Sequence, residues 1–181
     1  MKKFLISVIA AASILTPGVA LAENGPDDHR RLWDTLQRIG IVTLYNHKLH
    51  CDPNVDVDGI YYYNSGTLII CQDNMKSHLV EEQWTENDFD TLRHEAHHVL
   101  QDCSNGRLLD GKMGLFFQGD KHYQFVAGSS LSEEELMRLY RTLENAGLDY
   151  EGIKEEIEAH IVARDIPAQM IEQKLIQICS Q

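Results

Sequence analysis

Leu32, Leu36 and Ile39 recur at helical spacing over residues 27–39. Asp27 and Asp28 stand at the start of that run and Gly40 just beyond it, so the pattern predicts a first helix with conventional ends. The period then shortens. Ile41–Tyr45 reads as a strand, and residues 51–58 are a turn-rich, acidic, solvated loop. Gly59–Tyr63 and Thr67–Cys71 are two β-prone runs around Asn64, Ser65 and Gly66, the signature of a hairpin.

Helical spacing returns at Thr85, which with Asp88 three residues on forms a short variant of the capping box. That helix runs to about Cys103. Residues 104–130 show no sustained period and are expected to be loops. Ser132 and Glu135 form a full capping box for a helix reaching about Asn145, before Gly147. A further helix is expected over 150–165, and Pro167 opens a last one ending near Cys179. A helix, a small sheet and then helices make the fold class α+β: a small β-sheet or hairpin followed by a central helix and C-terminal helices.

Residues 1–22 stand apart from this pattern. Lys2 and Lys3 precede an apolar run from Phe4 to Ala12, and Ala20-Leu21-Ala22 is a small-x-small cleavage site. This is the arrangement of a secretory signal peptide, which makes residues 23–181 one exported domain. The apolar run is short for a membrane anchor. The expected location is secreted or periplasmic, with no stable membrane association after cleavage.

The 28 acidic and 16 basic residues give a net charge of −12. That balance argues against nucleic-acid binding, which needs a basic footprint, and against docking on an anionic membrane. Export also changes how the cysteines read. Cys51, Cys71, Cys103 and Cys179 make an even count in an exported chain, so disulfides are expected. Of three possible pairings, Cys51–Cys71 with Cys103–Cys179 is preferred. The first would staple the β segment, and the second would tie the last helix to the end of the central one. A four-cysteine zinc site is disfavoured because there is no C-x-x-C pair.

The chemistry concentrates in His94-Glu95-Ala96-His97-His98. His94 and His98 are one helical turn apart on one face and can grip one ion. Glu95 lies about 100° round the helix, beside that ion rather than on it. Phe89, Leu92, Ala96, Val99, Leu100 and Cys103 fall on the opposite, apolar face. His97 is expected to flank the site or support a ligand.

This H-E-x-x-H helix resembles that of the zincin metallopeptidases. Gln101 and Ser104 stand where the metzincin continuation would need glycine and histidine, so the likeness is to the gluzincin branch. There the third zinc ligand is a glutamate from a later helix, often followed by a small residue. Glu158-Ala159 matches that pattern, and Glu158 sits at the edge of the stripe formed by Ile153, Ile157 and Ile161, from which Glu156 points away. The 60 residues between His98 and Glu158 exceed the usual spacing. Asp102, Glu155, His160 and His122 are the alternatives.

The resemblance implies a Zn2+ enzyme with metal ligands His94, His98 and Glu158. It would hydrolyse peptide bonds in a peptide or protein substrate, using a metal-bound water activated by Glu95. Tyr123, His122 and Tyr150 are candidates for steadying the oxyanion, and the Thr67–Cys71 strand for pairing with an extended substrate. Phe116-Phe117 is either a flap over the site or a satellite core. Tyr61–Tyr63, Trp33 and Trp84 read as packing. The competing expectation is an exported zinc-binding or disulfide-bonded interaction protein without catalysis.

Overall fold

Gly25 precedes a helix, α1 (Pro26–Arg38), with Pro26 at its first position and Asp27 and Asp28 in its first turn. Both suit a helix N-terminus, where proline's missing N–H has no intrahelical partner to lose and the dipole favours acids. Gly40, at φ 98°, then turns the chain into β1 (Val42–Tyr45). The computed structural model describes residues 25–51, 57–73 and 84–179. The signal segment expected at 1–22, and positions 52–56 of the acidic loop, lie outside the described residues.

The expected hairpin is present. β2 (Gly59–Tyr62) runs antiparallel to β3 (Thr67–Ile70), with Gly59 opposite Ile70 and Tyr62 opposite Thr67. β1 pairs parallel to the other side of β3, giving the order β1-β3-β2. One expectation is thereby corrected. The Thr67–Cys71 run is the middle strand, and its backbone groups are already engaged on both sides, so an extended substrate has no edge to join there.

The central helix, α2 (Glu86–Ser104), opens on a complete capping box between Thr85 and Asp88. Such a cap typically contributes about 1 kcal/mol. Four more helices follow: α3 (Asp120–Ala127), α4 (Glu133–Asn145), α5 (Tyr150–Asp165) and α6 (Ala168–Cys179). The fold is α+β. No helix among the described residues is long and apolar enough to cross a membrane.

One side of α2 makes the main core. Leu92, Ala96, Val99, Leu100 and Cys103 pack with Leu32 and Leu36 of α1, Tyr61, Leu68 and Ile70 of the sheet, and Ile171 and Leu175 of α6. The other side of α2 is covered by α5, so the helix is enclosed from both directions. A second core forms where Ile153, Ile157 and Ile161 of α5 meet Leu143 of α4. α5 thus carries two buried faces, an isoleucine stripe toward α4 and a mixed face of acids and small residues toward α2.

Residues 104–130 were expected to be loops, but α3 lies within them. It has only eight residues, and Gly119 before it makes no side-chain cap. Helices this short depend on tertiary contacts rather than propensity. Here Phe125 stacks on Phe117 at 4.3 Å between ring centroids, and the buried His122 reaches α5. Both disulfides have the preferred pairing. Cys51–Cys71 and Cys103–Cys179 span Cα distances of 5.3 and 5.4 Å. Two such bonds suggest an oxidising, extracytoplasmic environment.

Candidate metal centre

His94 and His98 project from the α5-facing side of α2, one turn apart, with Nε2 atoms separated by 3.1 Å. Glu156 of α5 meets both. Its Oε2 is 3.2 Å from Nε2 of His94, and its Oε1 is 3.5 Å from Nε2 of His98. These three residues form a group able to hold a metal ion. Zinc bonds of about 2.0–2.1 Å at tetrahedral angles place neighbouring ligand atoms about 3.3 Å apart. The two imidazole nitrogens and the Glu156 carboxylate thus lie within reach of a single ion, nitrogen and oxygen donors are ones that zinc accepts, and no fourth protein ligand joins the group among the described residues.

The electrostatics point the same way. Burial opposes charge on His98, but the adjacent Glu156 carboxylate outweighs it, helped by Glu95 and by the bond to Gln101. The His98 pKa rises to about 9. Burial likewise opposes charge on Glu156, yet His98 and His94 hold its pKa far below the usual carboxylate range.

Glu158 does not belong to this group, which corrects the expected ligand set. The Ile153–Ile157–Ile161 stripe turns to α4, not α2. The face that meets α2 is the one carrying Glu156, Ala159 and Ala163. Ala159 and Ala163 are buried, and the Ala163 carbonyl accepts a 2.6 Å bond from Nε of Arg93 on α2. Two alanines at a helical spacing of four were the available signal, because small residues mark the face on which helices approach closely.

Glu158 is instead a fully buried acceptor for five N–H donors. Its Oε1 accepts from Nε2 of His97 at 2.7 Å, from the Phe116 amide at 2.9 Å and from Nε2 of Gln101 at 3.3 Å. Its Oε2 accepts from the Phe117 amide at 3.2 Å and from Nδ1 of His122 at 3.3 Å. Burial opposes its charge, but the His97 bond and the two backbone amides prevail and its pKa is lowered. Phe116 and Phe117 are therefore tied to α5 through their backbone, as a satellite of the core.

Glu95 is fully buried beside the edge strand β2. Gly59 provides its space: a Cβ there would stand 2.8 Å from Cγ and 2.9 Å from Oε1 of Glu95. Two residues along β2, the Tyr61 hydroxyl donates a 2.7 Å bond to Oδ2 of Asp102, which places Asp102 against the sheet and away from the histidine pair. His160, one turn beyond Glu156, lies edge-on to His94 at 6.2 Å between centroids. Burial, the charge of His94 and Arg164 together outweigh Glu156 and lower its pKa to about 4, so it is neutral at pH 7. Of the other expected participants, His122 is engaged by Glu158, and Tyr123 and Tyr150 are exposed and bonded to each other.

The chain belongs to the family described as a domain of unknown function (DUF8637), whose model matches residues 26–179. No curated protein and no solved structure matches it.

Proposed function

We propose that this member of the family is an exported zinc-dependent peptidase, with His94, His98 and Glu156 as metal ligands and Glu95 as general base. The observation that carries the reading is the three-residue group, able to hold a metal ion, together with Glu95, the only carboxylate that follows one of its histidines directly in sequence. Structural zinc sites close with four protein ligands, whereas catalytic ones keep a position open. When bound there, zinc acidifies a water and polarises a substrate carbonyl.

The chain's own residues divide the remaining work. Glu95 takes the proton from the attacking water and passes it to the leaving amine. His160, neutral at pH 7, supplies an N–H donor to the oxygen that becomes negative. The outer strand β2, lying along α2, is the edge on which an extended peptide can align. The signal-like residues 1–22 and the paired cysteines together support a working location in the periplasm or outside the cell.

The test uses the oxidised full chain and its Glu95→Gln variant, with zinc measured by elemental mass spectrometry and hydrolysis by release of new amines from an unfolded protein. One zinc per chain is expected in both, with hydrolysis lost by about a hundredfold or more in the variant. A parent without zinc, or a variant as active as the parent, overturns the proposal. Zinc in both and hydrolysis in neither favours a zinc-binding protein without catalysis.

A further inference from the structure

Glu158 is a buried carboxylate that the metal group leaves unused, and its bonds lead back to that group. Oε1 of Gln101 accepts a 2.7 Å bond from Nδ1 of His98. The other end of the same amide, Nε2, donates to the Glu155 carbonyl at 3.0 Å and to Oε1 of Glu158 at 3.3 Å. All these side chains are buried.

We propose that Glu158 is a positioning residue: acting through Gln101, it holds His98 in the tautomer whose Nε2 lone pair faces the metal position. The inference rests on the zinc reading above and adds a residue to it. Reversing the Gln101 amide would turn its oxygen toward two acceptors, the Glu155 carbonyl and the Glu158 carboxylate, and its N–H groups toward His98. Buried acceptors left facing each other are costly. The amide therefore has one satisfied orientation, in which His98 must donate from Nδ1. Outer partners of this kind fix which imidazole nitrogen is available to a metal.

Glu158 is not a second metal ligand. Both of its oxygens already accept N–H groups, two of them from the Phe116 and Phe117 backbone. It reaches the metal position only through Gln101 and then His98.

The experiment compares the parent with Glu158→Gln, Gln101→Met and the double variant, using zinc titration against a chromophoric chelator. Long-range 1H–15N NMR then reads the His98 tautomer in metal-free protein, over a pH series carried until the imidazole signals show the neutral ring. Each single variant should keep one zinc per chain with affinity weakened about 10–100-fold. The double variant should be no weaker than the weaker single, because both act through one bond. The tautomer should be Nδ1–H in the parent and lose that preference in Gln101→Met.

Complete loss of zinc in Glu158→Gln would make it a ligand and overturn the proposal. Unchanged affinity, or losses that multiply in the double variant, would overturn it too. Should Glu158→Gln fail to fold, Gln101→Met, which removes only the amide, decides the matter. A parent that binds no zinc sinks the enzyme reading alone. The positioning role then stands if His98 carries its proton on Nδ1 in the parent but loses that preference in Glu158→Gln as well as in Gln101→Met, and falls if the parent carries it on Nε2 or if Glu158→Gln keeps the parent tautomer.

Discussion

Glu156 and Glu158 lie two residues apart on α5 and engage different histidines, Glu156 meeting His94 and His98 while Glu158 accepts from His97. The 200° between them on a helix sends one carboxylate to the His94–His98 pair and the other to the wall beside it.

Replacing Glu156 by alanine should therefore abolish tight zinc binding. Two imidazoles alone should hold the ion about a thousandfold more weakly, or ~4 kcal/mol. Elemental analysis after dialysis against a weak chelator reads this directly. A Glu156→Ala chain that still carries one zinc would show that another residue completes the group.

Gly59→Ala should cost stability and, separately, activity. The new Cβ would stand 2.6 Å from Cγ2 of Thr91 as well as pressing on Glu95. Overpacking of this kind costs about 1–3 kcal/mol, measurable by urea unfolding. Adding Thr91→Ala removes the closer clash but leaves the one on Glu95, so stability should recover in part in the double variant while hydrolysis does not. Recovery of both would mean that Glu95 can shift at no cost.

His29 predicts a sensitivity to acid. Its Nδ1 donates to the Gly25 carbonyl at 3.0 Å, its Nε2 accepts from Arg93 at 2.7 Å, and its ring stacks on Phe89. Burial, with Arg93, lowers its pKa to about 4 from the ordinary 6.5, against the opposing Gly25 bond and Asp28. Between these values the unfolded chain binds a proton that the folded chain does not, so stability falls as the pH drops from 6.5 toward 4. Glutamine can donate and accept in the same place without titrating. Urea unfolding at several pH values should show a shallower acid limb in His29→Gln than in the parent, and identical limbs would refute the assignment.

The two disulfides should differ in what they contribute. Cys103–Cys179 closes a loop of sequence separation 76, and Cys51–Cys71 one of 20. Loop entropy assigns them about 4.5 and about 3.3 kcal/mol. Replacing Cys103 and Cys179 together by serine should lower the denaturation midpoint more than replacing Cys51 and Cys71. The reverse order would show that local strain or residual structure governs instead.

Much of this fold was legible in the sequence because its signals are local. The caps at Thr85 and Ser132, the hairpin around Asn64–Gly66 and the proline before α6 each act within a few residues. The closeness of His94 to His98 is legible for the same reason, since one helix sets it. What the sequence hid depends on distant packing. The apolar stripe of α5 suggests the face toward the histidine-bearing helix, but α5 packs against two neighbours and gives that stripe to α4, so the pattern points to Glu158 rather than Glu156. β3 reads as an edge because its parallel pairing with β1 leaves no trace in either strand. α3 escaped because its stability comes from Glu158 and Phe117 rather than from its own eight residues.

The pairing of the cysteines also has a direction in time. A chain emerging from its N-terminus presents Cys51 and Cys71 together before Cys103 appears, so the first bond can close with no competitor at hand. Cys103 must then wait until α3, α4, α5 and α6 have all emerged before its partner arrives. Order of emergence thus favours this pairing among the three available, and the last turn of the histidine-bearing helix is locked only after the helix that supplies Glu156 has emerged.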